Sequence, residues 1–311
     1  MATYQAPRGT QDILPGDQPL WQKVFAAART TAEQFGFKEI TTPTYEQVSL
    51  FQRAVGEATD IMEKELFLVK GIRSEEHEYA LRPEGTAGIV RSYIENGMQT
   101  LPQPVKLWSI VNNFRYDRPQ KGRYREHRQF DIELFGEKGP FADAWVIYAT
   151  WHFISALGLK NIQLQLNTLG TAEERATYRT ALIEFLTPLR EKLSEDSQRR
   201  LELNPLRILD SKDAGDQAVI ADAPQLHQYF GDASTNHFAE VMTYLSLWEV
   251  PFVVNRSIVR GLDYYCHTCF EWTSEAAGGQ QSSLGGGGRY DALLTELHGP
   301  DVGGVGAGIG L

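Results

Sequence analysis

Residues 105–135 read VKLWSIVNNFRYDRPQKGRYREHRQFDIELF. Two apolar runs, 105–114 and 130–135, bracket a long polar segment, the pattern of an antiparallel strand pair with an extended connecting loop. A loop of that length inside a compact domain points to binding. Between 114 and 128 it carries Arg115, Arg118, Lys121, Arg123, Arg125 and Arg128 against Asp117 and Glu126. Six basic residues against two acidic ones make this segment +4 on a chain of net charge −10, leaving −14 elsewhere. A local cationic loop on an acidic body suits a defined polyanion held at one place, and argues against a general nucleic-acid binder. On the second strand Gln129, Asp131 and Glu133 alternate and so share one face. Two acids on a strand face are costly unless they are solvated or bind a ligand. The pattern alone is equally that of an exposed hairpin with scattered charge.

Outward from this hairpin, Leu20, Trp21, Val24, Phe25, Ala32 and Phe35 recur at helical spacing over 18–35, with Gly36 as the stop. A short extended piece runs to Pro43. Residues 78–83 predict a strand entering ArgProGluGlyThr, and about 87–95 a helix. An apolar helix follows over 141–157, closed by Gly158, and Ile162, Leu164 and Leu166 alternate as a half-buried strand. From 171 to 247 the pattern is helical, interrupted at Asn204-Pro205, and strand signals return at 252–255 and 258–272. The expected fold is α+β: a mainly antiparallel sheet of six or seven strands flanked by helices. A first part over 1–171 and a second over 251–311 enclose a helical insertion, 172–250. There is no internal repeat.

The chain has 311 residues, 42 % of them hydrophobic, which excludes a disordered or low-complexity protein. No run approaches the ~18 apolar residues of a membrane span, and the first residues, MATYQAPRGTQDILPGD, hold no signal-peptide core. Two cysteines leave a reducing, cytoplasmic location as the expectation. Those two, Cys266 and Cys269, form a C-x-x-C, but three residues apart on a strand they face opposite sides and no second ligand pair follows at metal spacing. The glycine-rich stretches 285–288 and 303–310 match neither a dinucleotide fingerprint nor a phosphate-binding P-loop, and imply close backbone approach. In IVRGLDYYCHTCFEW, 258–272, Arg260 stands beside a glycine and two tyrosines. Arg260 and Asp263 would fall on opposite faces of a regular strand, so the stretch is either a buried aromatic strand with one snorkelling arginine or part of a site.

Taken together these segments resemble the histidine–tRNA ligase family of class II aminoacyl-tRNA synthetases, over essentially the whole chain. PRGTQDILP, from Pro7, is similar to that family's start, and FGFKEITTPTYE, from Phe35, to class II motif 1 with Pro43 at the dimer interface. LRPEGT, from Leu81, resembles the amino-acid-binding turn, and FRYDRPQKGRYR with QFDIELFG resembles motif 2. RLELNPLRILDSKD, from Arg200, resembles the helical insertion. RGLDYY, from Arg260, and GGGGRYD, from Gly285, resemble the two histidine-specific signatures.

The resemblance implies activation of histidine by ATP, brought with Mg²⁺, to histidyl-adenylate, and transfer to the 3′ end of histidine tRNA. It implies that Glu84 and Thr86, with Gln129 close by, hold the α-amino group. Glu133 and Tyr265 match the residues gripping the imidazole, and Tyr264 joins the histidine-binding set. Arg115 matches the motif 2 arginine at the α-phosphate and reacting carboxylate, and Arg260 a second catalytic arginine that stands in for a metal ion. Arg123 matches a residue near the ATP phosphates, while Arg118 and Gln120 lie in the loop that meets the tRNA acceptor stem. A homodimer through motif 1, no bound protein metal and no membrane partner complete the expectation. Two departures stand out: His127 replaces an expected aromatic, and GVGAGIGL stops at Leu311 within what resembles motif 3. From that ending a catalytic core with an incomplete ATP site and no anticodon-binding domain is expected. The alternatives are the non-catalytic synthetase-like regulatory subunit of ATP phosphoribosyltransferase and the synthetase-like region of a kinase that senses uncharged tRNA.

Overall fold

The computed structural model describes residues 4–56, 59, 61–71, 78–119, 122–258, 264–274 and 283–311. Its strands are β1 (Lys38–Glu39), β2 (Tyr45–Gln47), β3 (Leu68–Val69), β4 (Tyr79–Leu81), β5 (Val105–Phe114), β6 (Glu126–Phe135), β7 (Ile162–Thr168), β8 (Phe252–Val254), β9 (Cys266–Ser274), β10 (Ser283–Arg289) and β11 (Gly304–Gly310). Eight of them form one sheet in the order β1-β5-β6-β11-β10-β9-β7-β8, and a small sheet runs β2-β4-β3. Every neighbouring pair in the large sheet is antiparallel except at its edges, where β1 with β5 and β7 with β8 are parallel. The expected six or seven strands become eight because the glycine-rich stretches enter the sheet as β10 and β11.

The helices are α1 (Gln18–Gln34), α2 (Val48–Val55), α3 (Thr86–Glu95), α4 (Pro140–Ala156), α5 (Ala172–Leu186), α6 (Glu195–Leu203), α7 (Ala214–Ile220), α8 (Asp232–Leu247) and α9 (Asp291–Glu296). The alternation of β6 sorts them onto two faces. Phe130, Ile132 and Leu134 point to one side and pack with Trp108, Val146, Phe153, Phe270 and Trp272 in a core shared with α1, α4 and α8. Phe135, Val105, Leu107 and Val111 point to the other, where Phe51, Tyr93, Tyr290 and Leu293 bring in α2, α3 and α9. Gln129, Asp131 and Glu133 share that second face by the same period of two.

Between Ala172 and Leu247 the described elements are all helical, but they pack as two units. Tyr178, Leu182, Leu186, Leu193, Leu201, Ile208, Val219 and Ala223 make a core of their own. Helix α8 instead joins the main core through Val241 and Leu245, with Tyr244 and Trp248 against Phe141 of α4. A buried ion pair ties the sheet to α4: Arg289 donates to Asp143 from both Nε and Nη2 at 3.0 Å and to the Glu137 and Gly139 carbonyls.

Three local expectations change. The second hairpin strand begins at Glu126 rather than 130, because the polar residues 126–129 pair fully with Val111–Phe114. The strand expected over 258–272 is described only from Cys266; residues 259–263 lie outside the described set. Both glycine-rich stretches are strands, paired from Gly285 opposite Ile309 to Arg289 opposite Val305. Their close approach is real: a Cβ at Gly287 would overlap Gly306 O and come 2.7 Å from Ala307 Cα. The run 285–288 carries no side-chain period, whereas 304–310 alternates glycine with Val305, Ala307 and Ile309, a period of two.

Candidate active site

The turn from β4 into α3 supplies the first wall. Arg82 is buried and spends its guanidinium on backbone carbonyls, donating to Asn112 O at 2.8 Å, Thr42 O at 3.1 Å and Pro43 O at 3.2 Å. Those bonds lock the turn to β5 and to the segment entering β2. Glu84, two residues on, accepts from the amides of Thr86 and Ala87 at 2.8 and 2.9 Å, so it caps the start of α3. Burial nevertheless raises its pKa, against the pull of those amides and of Arg115.

β6 supplies the floor. Glu133 is fully buried and accepts from the Thr86 hydroxyl at 2.6 Å and from the Tyr290 hydroxyl. Burial pushes its pKa well above the usual carboxylate range even so. Asp131 is pushed up to about 8, first by burial and then by Glu84, with Arg82 and Arg115 opposing. Gln129 accepts from Asn113 Nδ2 at 2.5 Å. Opposite these three stand Gly310, Gly308 and Gly306 of β11, in register with Gln129, Asp131 and Glu133. A Cβ at Gly306 would overlap Glu133 Oε2. The absence of side chains at these three β11 positions is what leaves room for the two acids.

Tyr264 and Tyr265, both buried, stand 4.6 Å apart between ring centroids, with Tyr290 5.6 Å from Tyr264. Burial raises Tyr264 well above its ordinary pKa, so it is a neutral donor. Arg115 leaves β5 with its amide on Arg125 O at 2.9 Å and its Nε on Pro83 O at 2.8 Å. Glu65 and Glu84 are the acids whose charge offsets the cost of its burial.

The basic loop is held from outside. The amide of Arg125 donates to Gly9 O at 2.7 Å and its guanidinium lies 3.7 Å over the Tyr116 ring, so the Pro7–Thr10 turn braces it. Arg123 pairs with Asp117, whose Oδ1 takes the Arg118 amide at 2.6 Å. Arg118 is exposed. Burial, then Arg115, lowers His127 to about 4, leaving it a neutral ring beside the site. Arg260 and Gln120 lie outside the described residues.

Glu84, Thr86, Glu133, Tyr264 and Tyr265 are thus brought together with Arg115 at one end, while Arg123 and Arg118 belong to the loop beyond. Residues with no predicted role also take part. Tyr290 sits in the quoted GGGGRYD, and Asp131 was visible in the β6 alternation; Arg82 and Asn113 gave no signal, because their partners are backbone or distant in sequence. Both cysteines are buried, and burial pushes Cys266 up to about 12, too high for a reactive thiolate. Among the described residues no group of three or more His, Cys, Asp or Glu could hold a metal ion. Acids on the floor, hydroxyls beside them and an arginine at the rim suit a small molecule with N–H donors at one end and an anionic group at the other. The cationic loop suits a larger polyanion.

A sequence model of the family described as histidyl-tRNA synthetase matches residues 9–311. The histidine–tRNA ligase of Streptococcus gordonii is 47 % identical over 311 residues, covering 99 % of this chain and 72 % of its own length. The apo histidyl-tRNA synthetase of S. aureus superposes with a TM-score of 0.80 at 33 % identity, over 99 % of this chain and 72 % of that one. An ATP phosphoribosyltransferase regulatory subunit/histidyl-tRNA synthetase from Bacillus halodurans gives a TM-score of 0.70 at 22 % identity, covering 100 % and 82 %, a likeness of fold.

Proposed function

The chain belongs to the histidyl-tRNA synthetase family, and from that premise we propose that it activates histidine with ATP and passes it to the 3′ end of histidine tRNA. The observation that carries this reading is the buried pair of Glu133 with Thr86 and Tyr290, set among Tyr264 and Tyr265. A carboxyl held by two hydroxyls is placed to accept an imidazole N–H. Glu84, Thr86 and Gln129 then face the α-amino group.

In the first step an oxygen of the histidine carboxylate attacks the α-phosphorus of ATP, the bond to the bridging oxygen breaks, and pyrophosphate leaves. Both reactants are anions. Arg115, anchored through Nε on Pro83, keeps its forked guanidinium at the rim where the two meet. The family resemblance assigns Arg260 a second, matching role on the same charges. Mg²⁺ enters with ATP as part of the substrate. In the second step a hydroxyl of the terminal adenosine attacks the acyl carbon and AMP departs. Arg118, Gln120 and Arg123 of the basic loop are the residues proposed to receive the phosphates and the acceptor end.

Dimerisation through motif 1 belongs to the same proposal, supported by Tyr45 and Tyr79, whose exposed rings pack edge to face on one side of the small sheet. No helix of the described residues is long and apolar enough to cross a membrane, and a cytoplasmic setting follows from the reaction proposed.

Amino-acid-dependent ATP–pyrophosphate exchange tests the reading. Exchange with histidine alone among the amino acids is expected. Arg115→Ala and Arg260→Ala should each lose about 10³-fold in exchange rate while histidine binding survives. Histidine binding without exchange in the wild type would favour the regulatory reading instead, and wild-type rates in both variants would refute the arginine roles.

A further inference from the structure

Glu84 is engaged by the amides of Thr86 and Ala87, and Glu133 by the hydroxyls of Thr86 and Tyr290. Asp131, between them, is 3 % exposed, and its Oδ1 is buried with no hydrogen-bond partner among the described residues. That oxygen points at β11, where a Cβ on Gly308 would stand 2.8 Å away; Oδ2 lies against Gly85 at the start of α3. Glycines on both sides let the backbones of β11 and of the turn before α3 approach this carboxyl with no side chain between. A buried acceptor that the described residues do not satisfy, backed by glycine rather than by a side chain, is placed for a ligand's donor.

We propose that Asp131 is a substrate-binding residue of the site: its unpartnered carboxyl oxygen is a second acceptor, beside Glu84, for the α-ammonium group of the amino acid. The proposal rests on the histidine-activating reading given above. Among the described residues the charged groups facing Asp131 are Arg82 and Glu84 from the turn before α3, Arg115 from the end of β5 and Glu133 from its own strand; β11 presents only glycines and apolar residues.

The pKa near 8 means that Asp131 is mostly protonated in the ligand-free protein at pH 7. An arriving ammonium group reverses the balance. It favours the carboxylate, the carboxyl proton passes to solvent, and the ammonium keeps its own three protons. Histidine binding is therefore coupled to proton release of about 0.9 at pH 7 and about half a proton at pH 8, with about fivefold tighter binding at the higher pH.

The test is calorimetric titration of the 311-residue chain with histidine, in phosphate and in Tris, at pH 7 and pH 8. The difference between buffers counts the protons exchanged. Imidazolepropionate, which keeps the ring and carboxylate but lacks the ammonium, is titrated alongside, and both are repeated on Asp131→Asn. Release is expected with histidine, not with the analogue, and is lost in the variant, which should bind histidine about tenfold more weakly at pH 8 and without the pH dependence. Equal release with histidine and the analogue, or release that does not fall from pH 7 to pH 8, overturns the proposal whether or not the variant folds; unchanged release in a folded variant overturns it as well. Absence of histidine binding to the wild type would remove the histidine reading itself, and this proposal with it.

Discussion

Glu133 has no exposed surface, yet its two oxygens are already matched by Thr86 and Tyr290 before any ligand arrives. Pre-organisation of this kind lets a hydrogen-bonding site reject analogues lacking the group by about 10⁴–10⁵. Replacing the acid by its amide keeps the shape but exchanges one of the two acceptor oxygens for an N–H donor. Glu133→Gln is expected to lower kcat/KM for histidine at least about 100-fold, with KM for ATP changed less than about threefold, as read from exchange kinetics. A variant whose ATP affinity falls first would sink the imidazole assignment. Asp131 makes a prediction about stability. An acid whose folded pKa lies near 8 is penalised in its ionised form, so it destabilises the ligand-free fold increasingly as pH rises from about 4 to 8. Asp131→Asn should thus be more stable than wild type by about 1 kcal/mol or more at pH 8, and the gain should vanish at pH 4. Urea midpoints at the two pH values check this; equal midpoints at pH 8 would contradict the burial argument.

At the scale of elements, β11 is the informative strand. Its glycines alternate with Val305, Ala307 and Ile309, and their contribution is the volume they cede to the side chains of Glu133 and Asp131. Gly306→Ala would put a methyl group onto Glu133 Oε2, so histidine binding is expected to weaken by at least about tenfold, an overpacking cost of the order of 1–3 kcal/mol. Titration of the variant with histidine settles it, and wild-type affinity would mean that Glu133 can move aside freely. Local sequence made α1, α3, α4, β5 and β7 legible, because their apolar periods are strong. Local sequence also placed the start of the helical stretch at 171, where a Thr171–Glu174 capping box opens α5. What it could not show is that the same Glu174 carboxylate accepts from Gly231 N and Ser234 Oγ at 2.7 Å, joining the starts of α5 and α8. Those partners are nearly sixty residues away.

The molecule as a whole is one large sheet with a core on each face and a smaller helical core beside it. That third core rests on eight buried side chains from short helices, and local unfolding free energy follows such packing. Amides within 178–223 are expected to exchange with deuterium faster than those of β5 and β6, through openings that leave the main sheet intact. Equal protection across both regions would show that the helical unit unfolds only with the whole. Helix α8, packed on α4, should follow the main sheet rather than its neighbours in sequence.

The α+β class, the hairpin at 105–135, the shared face of Gln129, Asp131 and Glu133, and the family were all determined by the sequence alone. They rest on periods of two and 3.6 and on contiguous motifs, which are local properties of a chain. Tertiary structure alone decided which groups meet. Thr86 and Tyr290, 47 and 157 residues from Glu133, converge on one carboxylate; Arg82 disappears into backbone carbonyls; glycine strands become the floor opening. Only tertiary structure, too, buries Asp131 next to Glu84 and so moves its proton into the physiological range. Burial and the field of distant charges depend on where the whole chain has gone, and no window of sequence contains them.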